Sequence, residues 1–182
     1  PASPRLAQFG AWQFPAATYS PDQVREVVEY ARTRGVRVVV ELDVPGHAYS
    51  WGLGHPELIV ACPAAVVTEI GAINNVPLDP TQEATYTVVN ALVGELAGLF
   101  PDAFFHVGGD EIQFKCWNAS ARVQAYMRAH NMTDTLQLLA AFEQRLLGML
   151  RKVNRRPVVW QEAFREMGDV LKPARALVEL WK

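Results

Sequence analysis

Long apolar runs and an excess of either charge are missing from this sequence, and cysteine is scarce. No apolar run reaches the ~18 residues of a transmembrane helix, so we expect no membrane-spanning segment. The 182 residues carry a net charge of -2, which predicts neither a nucleic-acid partner nor binding to an anionic membrane. The two cysteines, Cys62 and Cys116, are explained equally well, on counting alone, by two buried thiols or by one bridge.

Hydrophobic residues make up half of the chain, enough for one globular domain with a sizeable core. The segment Ser20-Pro21-Asp22-Gln23 predicts the start of a helix, because Ser caps, Pro suits the first position and Gln completes a capping box. Gly35 is the predicted helix stop. Nearly continuous β-branched residues at 36–42 then predict a strand that is covered on both faces.

Helical and strand patterns alternate along the rest of the chain. Residues 1–19 show no period and are predicted to be loop. Further helices are predicted from Asp79-Pro80 to residue 100, at 119–129, at 134–153 and near 169–172, and further strands at 103–107, 157–161 and 176–181. This alternation predicts parallel strands with crossover helices. Both an open doubly wound sheet and a (β/α)8 barrel fit the pattern.

Candidate functional residues follow every predicted strand. In chain order they are Asp43 and His47, Asp110 and Glu111, Trp160 and Glu162, and Trp181. A barrel collects its site from the C-terminal ends of many strands, whereas an open sheet concentrates it at one switch point. Since a barrel needs eight strands and about 250 residues, we expect residues 1–182 to be one partial catalytic (β/α)8 domain, an internal fragment with about four strands.

The stretch Phe104-Phe105-His106-Val107-Gly108-Gly109-Asp110-Glu111 begins like a buried strand and ends on two adjacent carboxylates. A glycine pair ends a strand and lets the backbone come close to a ligand. Two acids at such a point are costly to bury unless they serve a function. The alternative without function is a strand that ends in a solvated Asp-Glu turn.

His106-Val107-Gly108-Gly109-Asp110-Glu111 closely resembles the active-site signature of glycoside hydrolase family 20, the β-N-acetylhexosaminidases. Phe114-Lys115-Cys116-Trp117 resembles the eukaryotic members of lysosomal type. Glu41-Leu42-Asp43-Val44-Pro45-Gly46-His47 resembles the family's Glu-x-Asp-x-Pro-Gly-His motif. The resemblance runs from about residue 19 to residue 181. It implies exo-hydrolysis of terminal non-reducing N-acetylhexosamine residues from glycoconjugates or oligosaccharides, with retention of configuration.

The resemblance assigns a role to each acid. Most glycosidases place two carboxylates across the scissile bond, but neighbours in sequence are poorly placed for that. In the substrate-assisted mechanism the 2-acetamido carbonyl attacks the anomeric carbon and forms an oxazolinium ion. Asp110 would then orient the acetamido group and stay ionised, while Glu111 would protonate the leaving oxygen and later activate water. The resemblance implies that His47 hydrogen-bonds the catalytic acid; a capping His in a tight loop is the alternative.

The tryptophans Trp160 and Trp181 lie in segments, Val159-Trp160-Gln161-Glu162 and Val178-Glu179-Leu180-Trp181-Lys182, that resemble family segments whose indoles wall the acetamido pocket. An indole face stacks well on the apolar side of a sugar. Core packing is the alternative for a tryptophan on a barrel strand. The sequence gives Glu162 and Glu179 no specific role beyond a structural one.

Two sequons, at Asn118 and Asn131, are candidate N-glycosylation sites. Together with the resemblance they favour an oxidising compartment, a Cys62–Cys116 disulfide and a lysosomal or secreted protein. The expected partner is a glycan with terminal N-acetylglucosamine or N-acetylgalactosamine, and a homodimer is the expected assembly of the full-length protein. We expect no cofactor and no metal.

Two other functions remain open. The first is a carbohydrate-binding homologue that has lost catalysis, which would be expected to lack Asp110 or Glu111. The second is a metal-dependent barrel hydrolase that uses His47, His106, Asp43 and Asp110. Against the metal reading, His106 is predicted inside a strand and no His-x-His spacing occurs.

Overall fold

The computed structural model describes residues 2–71 and 73–181, so that Pro1, Ala72 and Lys182 lie outside the described residues. The helices are α1 (Pro4–Gly10), α2 (Pro21–Arg32), α3 (Tyr49–Gly54), α4 (Ala64–Ile70), α5 (Glu83–Leu99), α6 (Phe114–Ala119), α7 (Ala121–Ala129), α8 (Thr135–Lys152) and α9 (Gln161–Leu171). The strands are β1 (Phe104–His106), β2 (Arg156–Trp160) and β3 (Leu177–Glu179), and short 3-10 turns lie at Pro56–Leu58 and Ile73–Asn75.

The three strands form one parallel sheet in the order β1-β2-β3. Phe105 pairs with Pro157, and Val159 pairs with Val178. Helices α6 to α8 connect β1 to β2, and α9 connects β2 to β3, as parallel pairing requires. The prediction of an α/β chain with parallel strands is therefore confirmed, and the predicted ends of these strands are right to within two residues.

The predicted strand at 36–42 is wrong in its extent. Glu41 alone forms a bridge, with His106 of β1. The amide of His106 donates to the carbonyl of Val40 at 2.9 Å, and the amide of Val44 donates to that of Val107 at 3.2 Å. The extended segment therefore runs beside β1 only around residues 40–44. The prediction that both faces of this segment are covered is also wrong, since Val36 is 57% exposed. Among the described residues, no strand pairs with the edge of the segment that faces away from β1.

The start of α2 confirms the predicted capping box. The Ser20 hydroxyl accepts the amide of Gln23 at 3.2 Å, and the Gln23 side chain accepts the amide of Ser20 at 2.8 Å. By contrast, α5 begins at Glu83 and not at Asp79-Pro80. The Asp79 carboxylate accepts both the amide and the hydroxyl of Thr81, and these bonds form a turn before the helix.

Other helix predictions need correction. Residues 4–10 form α1 within the predicted loop, and α9 begins at Gln161, eight residues before the predicted start. The short helices α3 and α4 were not predicted. None of the helices within residues 2–71 and 73–181 has both the length and the apolar character needed to cross a bilayer.

The core lies between the sheet and the helices that connect its strands. Helix α8 packs against α5, α9 and β2, and it buries Phe142, Leu146 and Leu150 almost completely. From the sheet, Phe105 and Val159 are each 1% exposed. This core fixes the strands, and their C-terminal ends then position the candidate site.

Candidate active site

The loop that leaves β1 turns tightly because of its two glycines. Gly108 has φ 68° and Gly109 has φ 90°, in the left-handed region that glycine adopts without penalty. A β-carbon on Gly108 would lie 1.7 Å from Oδ1 of Asp43, and one on Gly109 would lie 2.8 Å from the β-carbon of Ala163. The backbone thus passes closely between the extended segment and α9, and it carries the two acids to the edge where the strands end.

Asp43 fixes both this loop and a histidine ring. Its Oδ2 lies 2.6 Å from Nδ1 of His47, and its Oδ1 accepts the amide of Gly109 at 3.0 Å. Burial raises the pKa of Asp43 to about 6. The Gly109 amide and His47 act against this rise, and the charge of Asp110 adds to it.

His47 lies between the two candidate catalytic acids. Its Nδ1 is 3.8 Å from Oδ1 of Asp110, and its Nε2 is 3.5 Å from Oε2 of Glu111. Burial lowers the pKa of His47, but the hydrogen bond to Asp43 and the charges of Asp43, Asp110 and Glu111 outweigh burial and raise the pKa above its ordinary value. The imidazolium form is therefore favoured where it faces carboxylates on both sides.

The two acids occupy unlike environments. Asp110 is 8% exposed, and its Oδ1 has no hydrogen-bond partner among the residues that the structure describes. The side chain of Glu111 is 40% exposed, and its backbone adopts φ 50°, which is uncommon for a residue with a side chain. Its Oε2 accepts the side-chain amide of Asn75 at 3.3 Å. One acid is thus buried, and the other faces solvent.

Trp160 and Trp181 lie together at the ends of β2 and β3. Their rings meet edge to face, with centroids 6.3 Å apart. The Trp160 indole N–H donates to Oε1 of Glu41 at 2.9 Å, and the Trp181 indole N–H donates to Oε2 of Glu162 at 2.8 Å. Neither ring is fully buried, and Trp181 is 47% exposed. Glu41 and Glu162 therefore hold the two indoles by their N–H groups.

His106 is the last residue of β1, and its ring centroid lies 4.7 Å from that of Trp160. It is 5% exposed, and its Nδ1 accepts the amide of Gly108 at 3.0 Å. Burial lowers the pKa of His106, while the charges of Glu41 and Glu179 act against it. Because Nδ1 accepts a hydrogen bond, the neutral ring carries its proton on Nε2, which lies 3.6 Å from Oε2 of Glu179.

One group in the described part of the chain has the donor atoms and spacing to hold a metal ion. Asp43, His47 and Asp110 each offer one ligand atom, and these atoms all lie within 4.8 Å of one another. His106, which the metal-dependent alternative would also use, is not part of this group. In the geometry described, Nδ1 of His47 is engaged in the short hydrogen bond to Asp43.

The predicted disulfide is confirmed. Cys62 and Cys116 are bonded, with their α-carbons 4.7 Å apart. Cys62 precedes α4, and Cys116 lies in α6, five residues after Glu111. The bond therefore ties the long connection between α3 and α5 to the segment that follows the loop carrying Asp110 and Glu111.

Both sequon asparagines, Asn118 and Asn131, are exposed. The hydroxyl residue of the first sequon, Ser120, is 5% exposed and caps α7 by accepting the amide of Val123. Use of either sequon as a glycosylation site stays a prediction.

The sequence analysis did not single out Asn75, and it gave no specific role to Glu41 or Glu162, although all three contact predicted site residues. Glu41 lies 119 residues from Trp160, and Asn75 lies 36 residues from Glu111. Contacts at such separations leave no local pattern. The available signals were the motif that contains Glu41 and the position of Glu41 and Glu162 at strand ends, where a parallel sheet collects its functional groups.

The family described as "Glycosyl hydrolase family 20, catalytic domain" matches residues 1–182. The chain is 37% identical over 180 residues to the human beta-hexosaminidase subunit beta, covering 98% of this chain and 31% of that protein. It is 39% identical over 169 residues to beta-hexosaminidase subunit A1 of Dictyostelium discoideum, covering 92% of this chain and 30% of that protein. The chain thus spans about a third of the length of these curated relatives.

Solved structures give the same result. The chitobiase of Flavobacterium johnsoniae superposes with a TM-score of 0.80 at 30% identity, over 99% of this chain and 26% of that one. The exo beta-N-acetylglucosaminidase of Vibrio harveyi, solved in complex with N-acetylglucosamine, gives 0.82 at 25% identity, over 100% of this chain and 30% of that one. With the match of the family's catalytic-domain model to residues 1–182, this chain belongs to glycosyl hydrolase family 20.

Proposed function

We propose that the chain is part of a β-N-acetylhexosaminidase that releases terminal non-reducing N-acetylhexosamine from glycoconjugates or oligosaccharides, by a retaining, substrate-assisted mechanism. The observation that carries the proposal is the position of His47 between two acids in unlike environments, one buried and one exposed. Such a pair suits two different tasks better than a symmetric attack on one bond.

The chain would supply part of a (β/α)8 barrel. Alternate residues of the extended segment and the three strands line one cleft of about 380 Å³ on the sheet's open face; among them are Glu41, His106, Trp160 and Glu179. The residues between them, such as Phe105 and Val159, pack against the helices. This alternation supports a barrel, in which inward side chains come from every strand and outward ones meet the helical ring.

In the first step, the carbonyl oxygen of the substrate's 2-acetamido group attacks the anomeric carbon, and the bond from that carbon to the leaving oxygen breaks. The proton of Glu111 passes to the leaving oxygen, so that the aglycone departs as a neutral alcohol. Asp110 accepts a hydrogen bond from the acetamido N–H, and its negative charge offsets the positive charge that develops on the oxazolinium ring. Burial beside the loop strengthens this interaction, since less water screens it.

In the second step, Glu111, now a carboxylate, removes a proton from water as the water oxygen attacks the anomeric carbon. The oxazolinium ring opens, and the sugar is released with its original configuration. Partial exposure of Glu111 suits both steps, because the leaving group and then water must reach it. Cationic His47 would hold Asp110 by charge throughout the cycle and the Glu111 carboxylate once its proton has been transferred, and Asp43 would hold the ring of His47.

Trp160 and Trp181 would form the apolar wall of the acetamido pocket. Their N–H groups donate to Glu41 and Glu162, and an indole face is suited to contact the apolar side of a sugar. The partner is a glycan that ends in N-acetylglucosamine or N-acetylgalactosamine. The disulfide and the sequons support a secreted or lysosomal protein, and a homodimer is the assembly that we propose for it.

The test is the Glu111→Gln variant, assayed on two N-acetylglucosaminides. Hydrolysis of a chito-oligosaccharide, whose leaving group is a sugar alcohol that needs protonation, should fall by at least about 100-fold. A dinitrophenyl glycoside should lose far less activity, because its leaving oxygen needs little protonation. Equal losses on both substrates would exclude Glu111 as the general acid. Wild-type turnover also separates this proposal from a binding protein without catalysis, and unchanged turnover after chelation would exclude a metal-dependent hydrolase.

A further inference from the structure

The exposed acid Glu111 has a neutral partner that comes from a distant part of the chain. The side-chain amide of Asn75, at the end of the 3-10 turn Ile73–Asn75, donates to Oε2 of Glu111 at 3.3 Å. The same oxygen lies 3.5 Å from Nε2 of His47. Two nitrogen groups therefore approach one oxygen of this carboxyl group.

The turn that carries Asn75 is fixed against the loop that carries His47. The amide of Ala48 donates to the carbonyl of Val76 at 3.2 Å, and the amide of Leu78 donates to the carbonyl of Pro45 at 2.8 Å. The disulfide ties the same connection to α6, which follows Glu111. The segment of Asn75 is thus tied to the loop of His47 by backbone hydrogen bonds and to the segment that follows Glu111 by the disulfide.

We propose that Asn75 is a positioning residue for the general acid: its amide donates to Oε2 of Glu111 and so fixes the orientation of the carboxyl group from which the proton passes to the leaving oxygen. This inference rests on the proposed function of Glu111. It adds a specific group on which that function depends.

An amide suits this task because it does not titrate and donates throughout the cycle. When Glu111 is protonated, the N–H on Oε2 favours that oxygen as the carbonyl oxygen and Oε1 as the hydroxyl. After proton transfer, the same N–H stabilises the new negative charge. A hydrogen bond to a charged group is worth roughly 10- to 100-fold in an equilibrium or a rate.

Charged groups surround the contact on several elements. His47 faces Glu111 directly, and Asp43 and Asp110 contact the other side of the His47 ring. Helix α9 contributes Glu162, Arg165 and Glu166 to the cleft of about 440 Å³ that Asn75 and Glu111 also line. Substitution of Asn75 leaves all of these charged groups in place. A change in the pH dependence of activity is therefore due to the loss or replacement of the Asn75 amide.

The test compares Asn75→Ala and Asn75→Asp with the same substitutions at the adjacent Asn74, an exposed residue. Asn75→Ala should lower kcat on the chito-oligosaccharide by roughly 10- to 100-fold. On the dinitrophenyl glycoside kcat should stay within about twofold. KM should change little on either substrate. Asn75→Asp places a carboxylate beside Glu111 and should move the alkaline limb of the pH profile to higher pH.

The Asn74 variants should match the wild type in all of these measurements. Equal losses on the two substrates, or no loss, would overturn the positioning role; so would an unmoved pH limb in Asn75→Asp. If Asn75→Ala does not fold, Asn75→Ser provides the same comparison with a small polar side chain. Glu111→Gln is measured in the same series. If Glu111→Gln lost equal activity on both substrates, the proposed function itself would be contradicted. If Glu111→Gln lost activity mainly on the chito-oligosaccharide but Asn75→Ala lost none, only the positioning role of Asn75 would be contradicted.

Discussion

Glu143, in the middle of α8, should make the stability of the fold fall as the pH rises. It is 2% exposed, and its Oε2 has no hydrogen-bond partner within residues 2–71 and 73–181. Burial raises its pKa from 4.5 to about 8. Because the folded state holds this proton more tightly than the unfolded chain, folding is unaffected below pH 4.5 and is progressively penalised as the pH rises from there through about 8.

The size of this effect follows from the two pKa values. At about 1.4 kcal/mol per pH unit, 2.5 units above pH 4.5 correspond to a penalty on the order of 3 kcal/mol at pH 7. At pH 5 the penalty is under about 1 kcal/mol. The variant Glu143→Gln keeps the shape but does not titrate. Its free energy of unfolding, relative to wild type, should therefore increase by about 3 kcal/mol between pH 5 and pH 8.

Urea denaturation followed by tryptophan fluorescence, at half-unit steps from pH 5 to pH 8, measures this difference. The matched control is Glu26→Gln, which removes a glutamate from the exposed face of α2; its difference from wild type should be nearly constant over the same range. If the free energies of unfolding of Glu143→Gln and wild type changed in parallel with pH, Glu143 would not be a protonated buried acid. The predicted slope agrees with the proposal of a lysosomal protein, since an acidic compartment removes the penalty.

Two further predictions concern groups that hold the site. Replacing Cys62 and Cys116 by serine should lower the free energy of unfolding by about 4 kcal/mol in the chain-entropy account, for a sequence separation of 54 residues; a change under about 1 kcal/mol in urea denaturation would contradict it. Glu41→Leu removes the acceptor of the Trp160 indole N–H. Its KM should rise about tenfold, which is the equivalent of one moderate hydrogen bond. Glu41→Gln keeps an acceptor, so its KM should stay near that of the wild type. Equal KM values for the two Glu41 variants would show that the hydrogen bond does not position Trp160.

Local chemistry made much of this fold predictable. Ser20 and Gln23 cap α2 as their spacing requires, and the glycines after β1 mark the loop that carries the acids. The extended segment near Glu41 was less predictable, because its β-branched residues give strand propensity but pairing depends on neighbours elsewhere in the chain. Helix α1 was missed because its residues show no apolar period and none of them is buried.

The candidate site also has a part that local sequence predicts and a part that it does not. Asp110, Glu111 and His47 stand in short motifs that are typical of their chemistry. Asn75 and Glu41 contribute through contacts across 36 and 119 residues, and a single sequence does not encode such contacts locally. The burial of Glu143 could not be read from α8 either, since an acid within an amphipathic helix is normally placed on its exposed face.

The binding of a thiazoline analogue of the oxazolinium ion tests the central claim most directly. Its inhibition constant is measured for the wild type and for Asp110→Asn, and is compared with that of the product N-acetylglucosamine. A mechanism that forms the oxazolinium ion predicts that the wild type binds the analogue at least about 100-fold more tightly than the product. Asp110→Asn should lose most of this advantage, because the carboxylate charge is gone. Equal affinity of the wild type for analogue and product would contradict substrate assistance.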